Sequence, residues 1–188
     1  MPLRGVTIAY IDVFRAIPLL IILFLISGGV PYLNFLPKDI RIPHWFGQPD
    51  PFWYAVVALT MVYGAYMAEV YRAGIESVHP SQAAAARSLG LSRWKTFRFV
   101  VIPQAVRRVV PPLLNDFVGL QKDTALVAFV VVVPEAFKEA QIIQNADFNF
   151  TPLLAAALLF LLVTIPMTRL VDWLVSRQRR RRQVATAL

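Results

Sequence analysis

The sequence predicts an all-α, polytopic membrane helix bundle formed by a single domain over residues 1–188. Three observations carry this. Of the 188 residues, 57% are hydrophobic and only 16% charged, less charge than a water-soluble domain of this size holds. Several apolar runs approach the roughly 20 residues that cross a bilayer as a helix. The connections between those runs differ sharply in charge, as loops on opposite sides of a membrane do. Together they exclude a soluble globular domain. With no cysteine, a disulfide framework and a thiolate metal site are excluded too. The net charge of +8 has its simplest cause in Arg and Lys held on the cytoplasmic side, so nucleic acid is not an expected partner.

Four spans are expected. The first covers residues 8–30, with its apolar centre in PLLIILFLI. Asp12 and Arg15 interrupt it and no small-residue cleavage site follows, so no cleavable signal peptide is expected. Residues 31–52 then form a connection rich in proline and aromatics, with two bases (Lys38, Arg41) and two acids (Asp39, Asp50). The second span covers 52–70. Residues 72–108 follow as a connection with seven bases and one acid, Glu76. The third span, 109–133, contains polar residues. The connection 134–152 holds one base, Lys138, and three acids, Glu135, Glu139 and Asp147. The fourth span covers 153–173, and a basic tail, 174–188, carries Arg177 and Arg179 to Arg182. The charge asymmetry places residues 72–108 and the tail in the cytoplasm. An even number of spans then puts the N-terminus there as well. Trp45, Trp53, Trp94 and Trp173 fall near expected span ends, where they serve an interfacial belt or ordinary packing.

Residues 81–103, SQAAAARSLGLSRWKTFRFVVIP, stand apart. They carry Arg87, Arg93, Lys95 and Arg98 and no acid. Ser81 is expected as an N-cap, accepting from the first free backbone N–H groups. Residues 82–89 favour helix, and Gly90 stands where a left-handed C-terminal residue stops one. Ser92 begins a second helical piece that runs to Pro103, where the chain re-enters the membrane. The four consecutive alanines make a flat face that another surface approaches closely, and the flanking arginines can pair with acids on it.

This stretch resembles the cytoplasmic signature of ABC importer permeases, E-A-A-x-x-x-G, nine residues, then I-x-L-P. The matching positions are Ala84, Ala85, Ala86, Gly90, Val100, Ile102 and Pro103. The wider match is to the polar amino acid branch. Glu69 to Val78 (EVYRAGIESV) precede the signature, and PQAVR from Pro103, PPLLN from Pro111 and KDTAL from Lys122 follow it. Asp12 to Leu20, DVFRAIPLL, is similar to the branch's E-x-F-R-G-T-P-L-L. The resemblance covers about residues 10–175. It implies the type I permease fold and a cytoplasmic coupling loop over 72–108. It also implies that Ser81, Gln82, Ala84, Ala85, Ala86, Arg87, Leu89, Gly90 and Leu91 contact an ATPase subunit. The short helix is then a mechanical joint, rigid because a flexible link would dissipate the motion. The implied partners are two ATPase subunits, a second permease, an extracytoplasmic amino-acid-binding protein and membrane lipid. The implied location is the inner membrane of a bacterial cell.

Three departures from the family pattern bear on these expectations. The family glutamate is Ala84 here. Three residues after a Ser81 cap it would complete a capping box, a contribution on the order of 0.5–1 kcal/mol. Its loss points to a second, non-identical permease that keeps the glutamate. Family members also carry a further span before the F-R-x-x-P-L-L region, so the first family span is expected to be missing. Ala16 and Ile17 replace Gly-Thr, a packing-level change.

Polar residues in the spans have two readings. Asn115, Gln121, Lys122, Asp123 and Thr124, with Asp116 on the same span, either line a substrate pathway or form a structural hydrogen-bond network that holds the bundle. Lys122 and Asp123 are adjacent and point in different directions. Glu69 and Arg72 are three residues apart, a gating pair or a plain interfacial ion pair, and Asp12 and Arg15 share that spacing. Pro18, Pro111, Pro112 and Pro166 are hinges or static kinks. His44 and His79 form no cluster, so no metal is expected. There is no G-x-x-x-x-G-K-[ST] sequence and no nucleophile–base set. The chain is therefore expected to bind no cofactor and to be no enzyme, with ATP and Mg on the partner ATPase. The expected function is half of the membrane path of an ATP-driven importer for polar or charged amino acids, or related amines such as opines. The alternative is a truncated or non-transporting scaffold, which has no reason to hold the 81–103 joint.

Overall fold

The computed structural model describes residues 2–29, 50–130 and 135–186, all of the regular structure being helical. The connection expected over 31–52, with His44 and Trp45, lies almost wholly outside the described residues, as do 131–134 at the end of the third expected span. The elements are α1 (Pro2–Ala16), α2 (Leu19–Phe24) with a π turn (Leu25–Gly29), α3 (Asp50–Glu76), α4 (Pro80–Ser88), and α5 (Arg93–Thr96) with a π turn (Phe97–Val101). They continue with α6 (Ile102–Val130), α7 (Ala136–Asp147) and α8 (Thr151–Thr186).

Among the described residues, two helices are long and apolar enough to cross a membrane, α3 over Phe52–Glu76 and α8 over Thr151–Arg177. The first expected span is not one straight helix. It breaks at Pro18 into α1 and α2, which meet at 106° and make a third candidate if taken as one span. Pro18 has no N–H to donate and its ring excludes the preceding residues from helix, so α2 restarts after it. The third expected span is a 29-residue helix, α6, that runs through Pro111 and Pro112 without breaking. It is long enough but not apolar enough, because Asn115, Asp116, Gln121, Lys122, Asp123 and Thr124 fall within one short stretch. The four expected spans therefore become two, or three with the bent pair, among the described residues.

The chain divides into two compact units. The first comprises Met1–Ala65 and Gly119–Ile165. Ala55, Ala58, Val62 and Ala65 of α3 recur at helical spacing and are all buried. The first three join Ile22 and Leu23 of α2 and Val127 of α6 in one core, flanked by Phe14, Ile17 and Leu59. Small residues on α3 let its neighbours approach closely, which suits a bundle assembled in lipid. The Tyr10 hydroxyl donates to the Met61 carbonyl at 2.6 Å, tying α1 to α3. On α8, Leu154, Leu158, Leu161, Leu162 and Ile165 are exposed, a surface at home in a bilayer.

The second unit comprises Tyr66–Val118 and Pro166–Leu188. Here the last turns of α3 lie against the start of α6. Gly74 faces Val109 so closely that an added Cβ would overlap Val109 Cγ1 and sit 3.6 Å from the Ala105 carbonyl oxygen. The Arg108 guanidinium donates to the Ser77 carbonyl, and the Ser77 hydroxyl donates to the Gly74 carbonyl at 2.6 Å. Ala105, Val109 and Val78 are buried there. Trp173 and Trp94 are exposed, Trp173 stacking under Arg177 at 5.3 Å. Trp53, in the first unit, instead packs edge-on against Phe52 with its indole N–H buried.

Candidate functional site

The joint expected at 81–103 is present, with two corrections. Helix α4 begins one residue before Ser81. Pro80 occupies the first helical position, where its fixed φ and missing N–H cost nothing. The cap is His79, whose Nδ1 accepts the Ser81 N–H at 3.2 Å and meets the Ser81 hydroxyl at 2.7 Å. Ser81 is thus inside the helix and not its cap. Gln82 takes the capping-box position, three residues after the cap. Its side-chain oxygen instead accepts from Gln104 Nε2 at 3.0 Å, which ties α4 to the start of α6. Position 84 lies beyond the reach of a capping box, so the expected loss of a cap at Ala84 does not arise.

The stop at Gly90 is as expected. Gly90 has φ +85°. Its N–H donates to the Arg87 carbonyl at 2.9 Å, and the Leu91 N–H donates to the Ala86 carbonyl at 3.2 Å. This pair of bonds is the Schellman closure, which satisfies the last carbonyls of a helix only when the intervening residue is left-handed. Ala86 is buried, while Ala84, Ala85, Arg87 and Leu89 are exposed. Leu89, at 82% exposure, is a large apolar side chain offered at the tip of the joint. Ser92 caps α5 by accepting the Lys95 N–H at 3.4 Å.

The sequence predicts that the second piece ends at Pro103, and it does not. The run from Arg93 passes through the π turn Phe97–Val101 and straight into α6. A proline at 103 would press on the carbonyl of residue 99 in a regular helix and leave it without a donor. Widening the ladder by one residue relieves that clash. The joint is therefore continuous with α6 and tied to it again by Gln104. Gln104→Ala is expected to raise amide exchange across α4 roughly two- to fivefold, the loss of one net hydrogen bond. Unchanged protection would show that the bond holds nothing.

Glu69 and Arg72 do pair, and Glu76 joins them. The Arg72 guanidinium donates to both Glu69 carboxylate oxygens, one at 2.9 Å through Nε, and to Glu76 at 2.6 Å. The sequence reading placed Glu76 in the loop and missed this third member, although its i, i+4 spacing from Arg72 was the available signal.

Of the polar residues on α6, the structure brings two to partners within the first unit. Asp123 Oδ2 accepts the Tyr63 hydroxyl of α3 at 2.8 Å. Gln121 Oε1 accepts the Thr164 hydroxyl of α8 at 3.0 Å. Thr124 turns back on its own helix, donating to the Gln121 carbonyl at 2.7 Å. Lys122 is exposed, and Asn115, in the second unit, is also exposed. Lys122 and Asp123 diverge, as their adjacency requires. Tyr63 and Thr164 are the members that sequence reasoning missed, since neither stands out in an apolar helix. Gly119 leaves room for the Tyr63 hydroxyl, which lies 3.4 Å from where its Cβ would be. In a double-mutant cycle, Tyr63→Phe and Asp123→Asn are expected to show a coupling of about 1 kcal/mol in the stability of the purified protein. Additive effects would mean the bond contributes nothing.

Comparisons with known proteins converge. Residues 2–180 match the family described as binding-protein-dependent transport system inner membrane component. The probable glutamine ABC transporter permease protein GlnP of Bacillus subtilis is 36% identical over 172 residues, 89% of this chain and 73% of that protein. The glutamine transport system permease protein GlnP of Escherichia coli K12 is 34% identical over 95% of this chain and 75% of its own length. The probable amino-acid ABC transporter permease protein PatM of Vibrio harveyi is 38% identical over 87% and 70%. A crystal structure of an amino acid ABC transporter with histidines superposes with a TM-score of 0.79 at 34% identity, over 94% of this chain and 77% of that one. Permeases of this kind work with an ATPase and a binding protein. The apolar helices, the glycine-closed joint and these matches have one explanation: the chain belongs to the amino-acid branch of the ABC importer permeases, as a multi-pass inner-membrane subunit that is not itself an ATPase.

Proposed function

We propose that this chain forms one half of an import path for polar or charged amino acids and is driven through α4. Two ATPase subunits would hold ATP and Mg, and α4 would seat in a groove of one of them. Ser81, Gln82, Ala84, Ala85, Arg87, Leu89, Gly90 and Leu91 would line that contact, with Ala86 turned inward. An extracytoplasmic binding protein would deliver the substrate. Both chain ends would lie in the cytoplasm with the 72–108 loop, as the basic residues favour. The observation that carries the reading is the joint itself. A short helix closed by a left-handed glycine is followed at once by the helical run that continues into the long polar helix α6. The Gln82–Gln104 bond ties α4 to that helix directly, so a push on α4 would reach α6 without a slack linker.

The substrate class follows the relatives, which are named for glutamine and for amino acids. Gln121, Lys122, Asp123 and Thr124, all in the first unit, would offer polar groups to that substrate. Gln121 and Asp123 also hold neighbouring helices, so they would serve both purposes. The second permease would be non-identical and keep the glutamate that Ala84 replaces. Purification of the tagged chain from its native membranes, with uptake of labelled glutamine by the same cells, tests this. An ATPase and a second permease are expected with the tagged chain, and uptake is expected to fall when it is deleted. Recovery without any ATPase, and unchanged uptake of every amino acid tried, would overturn the reading in favour of a non-transporting remnant.

A further inference from the structure

The joint presents two chemically different surfaces, separated by the turn at Gly90. Helix α4 offers alanines, Arg87 and Leu89. The run from Arg93 to Ile102 offers large aromatics between cations. Trp94 is 65% exposed and Phe99 64% exposed, and Arg93, Lys95 and Arg98 are exposed beside them. Thr96 is buried, and Phe97, Val100 and Val101 are half-buried. The outward positions 94, 98 and 102, with 95 and 99, recur every four residues, so they share one face. The Arg98 guanidinium lies 6.0 Å from the Phe99 ring, and the Trp94 and Phe97 rings are 6.3 Å apart. No acid occurs anywhere from Ser77 to Asn115.

We propose that this face is a binding surface for anionic phospholipid, lying in the cytoplasmic headgroup layer. The inference rests on the cytoplasmic placement of the 72–108 loop. The argument is one of complementarity. A face with only positive charge fits a surface with only negative charge, and Trp sits at the level of lipid headgroups. Long cationic side chains reach phosphate while their stems and the neighbouring rings rest on the acyl boundary. The segment also runs without a break into a membrane-protein helix, which keeps it close to the bilayer. An acidic groove on a protein partner would satisfy the cations, but it would have to bury Trp94 and Phe99 as well. Coupling through α4 then depends on lipid charge, because the lipid holds the rear half of the joint in place.

The test uses the complete transporter, assembled with its own partners, in nanodiscs. Bromine-labelled phosphatidylglycerol or bromine-labelled phosphatidylcholine quenches nearby tryptophan. The difference in emission between the native transporter and one carrying Trp94→Phe isolates the one ring. Trp94 is expected to be quenched more strongly by the brominated anionic lipid. In the variant carrying Arg93→Gln, Lys95→Gln and Arg98→Gln this preference is expected to disappear, each cation being worth on the order of fivefold in local anionic lipid. Co-purification of the ATPase with that variant controls for folding. Equal quenching by the two lipids overturns the charge preference. No quenching by either, with the ATPase present, assigns the face to the ATPase and overturns the proposal. Loss of the ATPase from the native transporter would instead count against the coupling reading.

Discussion

Gly90→Val is expected to detach the ATPase while leaving the membrane part of the chain folded. Gly90 sits at φ +85° with nothing within 4 Å of an added Cβ. Steric crowding is therefore absent, and the whole penalty is in the backbone. A β-branched residue in the left-handed region costs on the order of 2 kcal/mol. The chain avoids that cost by giving up the left-handed turn. The Leu91 and Gly90 N–H groups then lose the Ala86 and Arg87 carbonyls, and the end of α4 frays. Asparagine tolerates the left-handed region best after glycine, so Gly90→Asn is expected to retain most of the ATPase, Gly90→Ala less, and Gly90→Val least. Co-purification of the ATPase with the three tagged variants checks the order. Equal retention by all three would mean that the left-handed turn is dispensable.

The second large effect is expected at Gly74, and its mechanism is the reverse. Gly74 lies in helix with no unusual backbone, and its constraint is space. Even Gly74→Ala puts a methyl group into Val109 Cγ1, 3.5 Å from Val109 Cβ and 3.6 Å from the Ala105 carbonyl oxygen. Val109 is buried and β-branched, so it has few rotamers into which to retreat. Overpacking of this kind costs about 1–3 kcal/mol. It should also strain the Arg108 bond to the Ser77 carbonyl, which spans the same contact. A lower thermal unfolding midpoint is expected for Gly74→Ala. Val109→Ala, harmful alone, should restore most of it in the double variant. No rescue would show that the penalty lies elsewhere than in this contact.

Residues whose roles depend on near neighbours in the chain were legible from the sequence. Gly90 is one, since a helix followed by glycine and a capped second helix needs no tertiary information to read. Glu69 and Arg72 are another, three residues apart on one helix. Ser81 was misread for a local reason too. Proline at the first helical position moves the start back by one residue, which makes His79 the cap in place of Ser81. Pro103 was read as a boundary because proline breaks a regular ladder, whereas the π turn before it accommodates the ring.

By itself the sequence determined the helical class, the membrane setting, the basic loop and the glycine-closed joint. Each of these follows from composition or from interactions within about four residues along the chain, which periodicity and turn chemistry report directly. The tertiary structure alone decided that the first apolar run bends by 106° at Pro18. It decided that Gly74 is held open for Val109, that Gln104 ties α4 to α6, and that Asp123 and Gln121 reach Tyr63 and Thr164. Most of those contacts join residues twenty to sixty positions apart. In an apolar helix a tyrosine or a threonine looks the same whether it faces lipid or a carboxylate. Only packing, which sets which helix faces meet, tells the two apart.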